Sequence, residues 1–300
     1  MESIYQVSDL TYHKISVITP SYNQGRFIEQ TILSVIGQQY PNLEYIIIDG
    51  GSTDETLDII RKYEKHITYW VSETDKGQSN AINKGFEQAT GDILCWLNSD
   101  DYYLPGTLLE VNQTLSNERP ELLFGNCIHL NEDAHLVYGT SYDPLKNWAI
   151  THGDYIVQPS SFWTRQAFEQ TGQLREDLHF GFDWEWFARA QANGVNFIPS
   201  EKYFSVYRLH NDQKSNENNA DRSKELISIE KQLNPSRFEY IDNYLDKHLN
   251  NINRIYSLSS KRLFKHWEYR LLKAFHPDLI KMIDRVSLKK YIKYGYPHQK

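Results

Sequence analysis

The sequence predicts an α/β fold, a mainly parallel sheet flanked by helices, with a helical C-terminal extension. Three observations lead there. Through the first 100 residues, short apolar runs alternate with helix-length amphipathic segments, the pattern of right-handed βαβ crossovers. Polar clusters follow directly on four of those runs, as at the carboxyl ends of strands that open on a ligand crevice. Beyond a polar stretch at 211–219 the pattern turns helical. The expected division is 1–215 for the α/β domain and 216–300 for the helical region.

The elements follow in order. Lys14–Thr19 reads as an apolar strand. From Arg26 to Gln39, Phe27, Ile28, Ile32, Leu33, Val35 and Ile36 recur at helical spacing. Tyr45–Ile48 is a buried strand ending at Asp49. Ser52 with Glu55 predicts a capping box for a helix reaching Tyr63. Ile67–Val71 is a third strand, Ser79–Ala89 a helix stopped near Gly91, and Asp92–Leu97 a fourth strand. A helix after Pro105 runs to Asn117. Strands are expected at Leu122–Cys127 and, as an edge, at His135–Thr140. A helix opening at Asp183 runs to Asn193, before Gly194, and Tyr203–Leu209 is a further strand.

Composition narrows the class. With 300 residues, 40% of them hydrophobic and 24% charged, the chain can bury a sizeable core. Aromatics reach 14%; flat rings suit stacking on sugars, though ordinary core and surface rings are an equal reading of any one of them. Cys95 and Cys127 lie inside apolar runs and are expected as buried free thiols of a reducing compartment. Met1 to Lys14 contains acids and no apolar signal core, and no apolar stretch reaches the ~20 residues that span a bilayer. These features lead to an expected cytoplasmic location, with peripheral membrane contact left open. The net charge of −7 is unevenly spread: residues 261–300 carry 11 Lys or Arg against 3 Asp or Glu. That basic, aromatic tail could face an anionic membrane surface, or pack as an ordinary helical region. The acidic remainder argues against nucleic-acid binding.

The strand-end clusters are Pro20-Ser21-Tyr22-Asn23, Asp49-Gly50-Gly51-Ser52, Glu73-Thr74-Asp75-Lys76 and Asn98-Ser99-Asp100-Asp101. Acids gathered at neighbouring strand ends repel one another, so their convergence points to a bound cation or to polar ligand groups. Together with Phe182-Asp183-Trp184-Glu185 and Tyr207-Arg208-Leu209-His210, these runs resemble the family 2 glycosyltransferases, in the same order and over residues 14–215. The resemblance implies a GT-A type fold, a nucleotide-diphospho-sugar donor, a glycan or lipid-linked acceptor, Mg²⁺ or Mn²⁺ as cofactor, and inversion at the anomeric carbon.

The same resemblance suggests residue roles. Thr19, Pro20, Ser21, Tyr22 and Asp49 would hold the nucleobase and ribose, and Lys76 the base or diphosphate. Asp100 would bind the metal, with His210 meeting the metal or the diphosphate, and Asp101 either assisting or capping the helix that leads into Pro105. Asn98 stands where the family has an acid; it would bind a ribose or sugar hydroxyl without charge, beside Ser99. Arg208 would contact the diphosphate. Asp183 matches the family's general base, with Phe182 in place of the usual Glu. Gln158 would line the acceptor side, and Trp184 would serve as an acceptor platform or pack in the core. The Asn98 and Phe182 departures keep a second reading in play, a catalytically inactive sugar-nucleotide or glycan-binding module of the same fold. The Gly-x-Gly-x-x-Gly of a dinucleotide oxidoreductase is absent from the first strand–helix turn. So is the Gly-rich, basic loop of a sugar-nucleotide pyrophosphorylase.

Overall fold

A computed structural model describes residues 11–131, 133–140, 150–214, 220–259, 268–283 and 285–297. The chain divides into two compact units, Met1–Gln213 and Lys214–Lys300.

The first unit opens with β1 (Ile15–Ser21), α1 (Gly25–Ile36), β2 (Leu43–Asp49), α2 (Thr56–Lys62), β3 (Tyr69–Ser72), α3 (Gln78–Gln88) and β4 (Ile93–Trp96). It continues with β5 (Tyr102–Tyr103), α4 (Thr107–Thr114), β6 (Glu121–Asn131), β7 (Leu136–Thr140), β8 (Ser161–Thr164), α5 (Arg165–Thr171), α6 (Phe182–Ala192) and β9 (Asn196–Leu209). One sheet collects these strands in the order β3-β2-β1-β4-β8-β6-β9-β5, and β7 pairs with β6. The first half, β3-β2-β1-β4, is parallel. Its strands read as continuous apolar runs because helices cover both faces, and β1 is buried along its whole length. In the second half, β8 runs antiparallel to β4 and β6, whereas β6 and β9 are parallel.

Strand order places the crevice. From β1 the chain moves outward to β2 and β3, then returns to the other side of β1 for β4. The reversal separates the loops after β1 and β4, and ligands of open α/β sheets enter there, beyond the carboxyl ends. Helix α3 lies close on β1: a Cβ at Gly85 would stand 2.4 Å from Ile18 Cγ2, so only a glycine permits that approach. The core beneath contains Ile28, Ile32 and Val35 of α1 with Val17, Ile47 and Cys95. Cys95 and Cys127 are buried free thiols, as expected.

One local expectation is overturned. Ser52 and Glu55 form no capping box, since α2 begins at Thr56 with Glu55 at its N-cap and no side-chain cap bond. The Ser52 hydroxyl is instead spent on the Asp49 carboxylate. Asp54 Oδ1 accepts the Thr56 N–H at 3.1 Å, a local side-chain alternative at the helix start.

The second unit contains α7 (Ala220–Leu233), α8 (Pro235–Ser259), α9 (Glu268–Phe275), α10 (Pro277–Met282) and α11 (Arg285–Tyr294). Its own core gathers Phe238, Ile241 and Leu245 of α8 with Leu272, Leu279, Leu288 and Tyr291. Several apolar residues of the basic tail, among them Leu272, Ile283, Tyr291 and Ile292, are therefore buried within this unit. Leu263, Phe264 and Trp267 lie outside the described residues. Among the described residues, no helix is long and apolar enough to cross a membrane.

Candidate active site

Asp49, at the end of β2, is fully buried. Its Oδ2 accepts the N–H groups of Gly51 (3.0 Å) and Ser52 (2.8 Å) and the hydroxyl of Ser72 (2.7 Å). Its Oδ1 accepts the Ser52 hydroxyl at 2.5 Å. Ser52 Oγ in turn accepts the Asn23 N–H at 2.7 Å, and Asn23 Oδ1 accepts the Thr53 N–H at 2.9 Å. One carboxylate thus ties the loops after β1, β2 and β3. The residue expected to read the nucleobase is thus also the one that fixes these loops: three donors meet Oδ2 and one meets Oδ1.

A different acid faces that loop. Asp75 Oδ1 accepts the Gly77 N–H at 2.7 Å. A Cβ on Gly50 would lie 2.8 Å from Asp75 Oδ2 and 3.4 Å from Tyr22 Cδ2. Gly50, Asp75 and the 61%-exposed Tyr22 therefore meet in one narrow place. Ser21 beside them is buried, its hydroxyl without a hydrogen-bond partner. Thr19 is turned inward, its hydroxyl 3.2 Å from Tyr45 Oη, and Pro20 is buried. Lys76 is exposed at the rim.

Beyond β4, Asp100 Oδ2 lies 3.1 Å from His210 Nε2. The Asp100 side chain is 23% exposed, and His210 is buried against the Phe27 ring, 4.5 Å away. The two residues are 110 positions apart; the antiparallel pairing of β5 with β9 brings their strand ends together. Among the described residues, no three His, Cys, Asp or Glu gather as a metal site. The Asp101 carboxylate is buried, and its Oδ1 accepts the Arg208 N–H at 3.1 Å. Burial and the neighbouring Asp100 charge push its carboxyl well above the usual carboxylate range. The Arg208 guanidinium also lies inside, over the rings of Phe27 (5.0 Å) and Tyr102 (5.2 Å), and donates to the Phe27 carbonyl at 3.3 Å. Thr31 Oγ1 lies 2.8 Å from the Ser99 carbonyl and 2.6 Å from that of Asp101, holding the turn that carries Asp100.

Asp183 lies in the first turn of α6, its Oδ1 accepting the Trp184 N–H at 2.8 Å. Phe182 packs on Trp96 of β4, ring centroids 6.3 Å apart, which brings the start of α6 to the β4 end. Trp184 is buried and donates to the Ile150 carbonyl at 2.7 Å, in keeping with the core reading of the two offered by the sequence. Gln158 is buried and bonded to Trp96 and Asn98. Asp154 lies near Asp183 and had no sequence signal. Desolvation by the surrounding protein and the Asp183 charge push its carboxyl well above the usual range.

Polar loops at the switch point of an α/β sheet, an Asp–His pair beside them and an aspartate at the start of α6 thus gather at one end of the sheet. Residues 16–184 match the model of the family described as Glycosyl transferase family 2, and the chain belongs to that family. A putative teichuronic acid biosynthesis glycosyltransferase, TuaG, of Bacillus subtilis (strain 168) is 46% identical over 174 residues, 54% of this chain and 65% of that protein. A GalNAc(5)-diNAcBac-PP-undecaprenol beta-1,3-glucosyltransferase of Campylobacter jejuni is 34% identical over 206 residues, 65% of each chain. The chain thus matches just under two thirds of the length of these relatives. The fold is of the GT-A type and resembles the crystal structure of S. aureus TarS 1-349 in complex with UDP-GlcNAc. The TM-score is 0.60 at 19% identity, over 90% of this chain and 81% of that one.

Proposed function

We propose that the chain is an inverting, metal-dependent glycosyltransferase. It moves a sugar from a nucleotide-diphospho-sugar to a hydroxyl of a glycan or lipid-linked acceptor, in polysaccharide or glycolipid assembly. The observation that carries this reading is the Asp100–His210 pair, 3.1 Å apart at the switch point of the sheet. A carboxylate oxygen and an imidazole nitrogen fit a divalent cation whose other positions go to diphosphate oxygens and water. Asp100 and His210 would hold Mg²⁺ or Mn²⁺ there, and the bound cation supplies neutralisation of the charge on the leaving diphosphate.

The remaining steps belong to the chain. Tyr22 and the Gly50 backbone border a slot for the nucleobase, and Asp75 closes it. Asp75 can accept an imide N–H there, and Asp49, which ties the three loops, is the other carboxylate proposed for the base. Lys76 stands at the rim for the base or diphosphate. Asp183 takes the proton of the acceptor hydroxyl as that oxygen attacks the anomeric carbon from the face opposite the diphosphate, so configuration inverts. Arg208 and Asp101 act from the interior by holding the turn and strand that carry Asp100 and His210.

The test is a panel of UDP-, GDP- and dTDP-sugars incubated with Mn²⁺ and assayed for released nucleoside diphosphate. Release from donors of one base class, lost on chelation, is expected. Tight binding of a nucleotide-sugar with no release from any donor, glycan and lipid-linked acceptors included, would support the inactive binding module instead. Peripheral contact with a membrane would use the basic residues of 261–300 and the exposed Tyr269 and Phe275. Flotation with anionic vesicles should then show salt-sensitive binding that is lost on deleting 261–300. Folded protein that stays unbound at low salt rules this contact out.

A further inference from the structure

Three carboxamides form a line through the site. Gln158, in the turn Gln158–Ser160 before β8, donates from Nε2 to the Trp96 carbonyl at 2.8 Å. Asn98 Nδ2 donates to Gln158 Oε1 at 3.4 Å, and Gln78 Nε2, at the start of α3, donates to Asn98 Oδ1 at 2.8 Å. Amide ends cannot be told apart by shape, but here the chemistry of one terminus fixes them all. The Trp96 carbonyl can only accept, so Gln158 must turn its NH₂ toward it. That leaves Oε1 facing Asn98, which must then present its own NH₂ and offer Oδ1 to Gln78.

We propose that Asn98 is a positioning residue of the donor site, fixed as asparagine by this one-way amide chain, and that the chain holds α3 and the β4 end at the spacing the donor sugar requires. The inference rests on the reading of the site as a nucleotide-sugar site. On this view Asn98 is not an eroded form of the acid usual in the family. An aspartate at 98 has no proton for Gln158 Oε1 and would set another carboxylate against Asp101. Turning the Gln158 amide over offers no escape, since its oxygen would then meet the Trp96 carbonyl. Both Gln158 and Trp96 are buried, so water does not readily relieve either arrangement.

The test is a mutant cycle of N98D, Q158K and N98D/Q158K. A lysine at 158 can donate both to the Trp96 carbonyl and to an aspartate at 98, which makes the double variant a rescue. Restoring the family's acid alone in N98D should raise KM for the donor found in the panel at least tenfold, while inhibition by the free nucleoside diphosphate changes less than threefold. The double variant should recover a substantial part of the loss. A purely structural role would shift both constants together. N98D at or above wild-type kcat/KM overturns the proposal, and so does a double variant no better than N98D. Melting temperature reads the same cycle without any donor: N98D should fall by several degrees and the double variant should regain part of it. Additive melting shifts overturn the chain even if no donor is turned over. Inactivity of the wild type with coupled melting shifts would overturn only the reading of the site.

Discussion

Replacing Asp183 by asparagine is expected to lower kcat by roughly 10²–10⁴, the usual worth of a general base. The substitution is nearly isosteric. An asparagine Oδ1 can still accept the Trp184 N–H that Asp183 Oδ1 accepts at 2.8 Å, so the first turn of α6 should keep its shape. Only the capacity to take a proton is removed. Donor binding should change little, because the slot proposed for the nucleobase lies at the loops after β1, β2 and β3. A mutant that keeps kcat and loses donor affinity would move Asp183 into the nucleotide site and sink its role as base. Asp154 provides a second readout. Its carboxyl is held high by desolvation and by the Asp183 charge, so the asparagine variant should let its pKa fall toward the ordinary range. Carbon-detected NMR titration of Asp154 would follow this.

The Asp100→Ala variant should lose activity by about three orders of magnitude or more. A ligand that lets the site stabilise the leaving diphosphate is worth several kcal/mol in the transition state, and each 1.4 kcal/mol is about tenfold in rate. Asp100 is partly exposed, so its removal should leave the melting temperature close to wild type; the loss then belongs to chemistry. Mn²⁺-dependent donor binding by calorimetry should weaken in the variant. Full wild-type activity in excess EDTA would end the metal reading.

Much of this was legible in the chain. The parallel half could be read because its strands are short apolar runs ending in polar loops, and helical spacing marked α1 and α3. The edge strand β7 was also visible, over Leu136–Thr140. Other features were not. Strand β5 is only two residues long, too short for any periodicity, and it forms because β9 passes beside it. The β8 run, Ser161–Thr164, merges with the helix that follows and carries no alternation. The capping box failed because a buried carboxylate competed for the same serine. For Asp49, residue type suggested a ligand contact, but only the fold reveals that the same carboxylate ties three loops together. The Asp100–His210 pair joins motifs 110 positions apart; their meeting was expected only through the family resemblance, since no local pattern announces it. Asp154 was missed for the same reason, since its meaning comes from a neighbour on another element.

Strand β9 has one further consequence. Arg208 and His210 both lie against Phe27, which two residues of an extended chain can do only when they are two apart. Adding or removing one residue within 196–207 would exchange the faces. Leu209 would then be carried to Phe27, and the guanidinium and imidazole would be turned to the opposite side. The length of that segment is thus a reading frame for the site. Among homologues and engineered variants alike, changes of amino acid there can be absorbed one at a time, whereas a change of count exchanges both side chains at once.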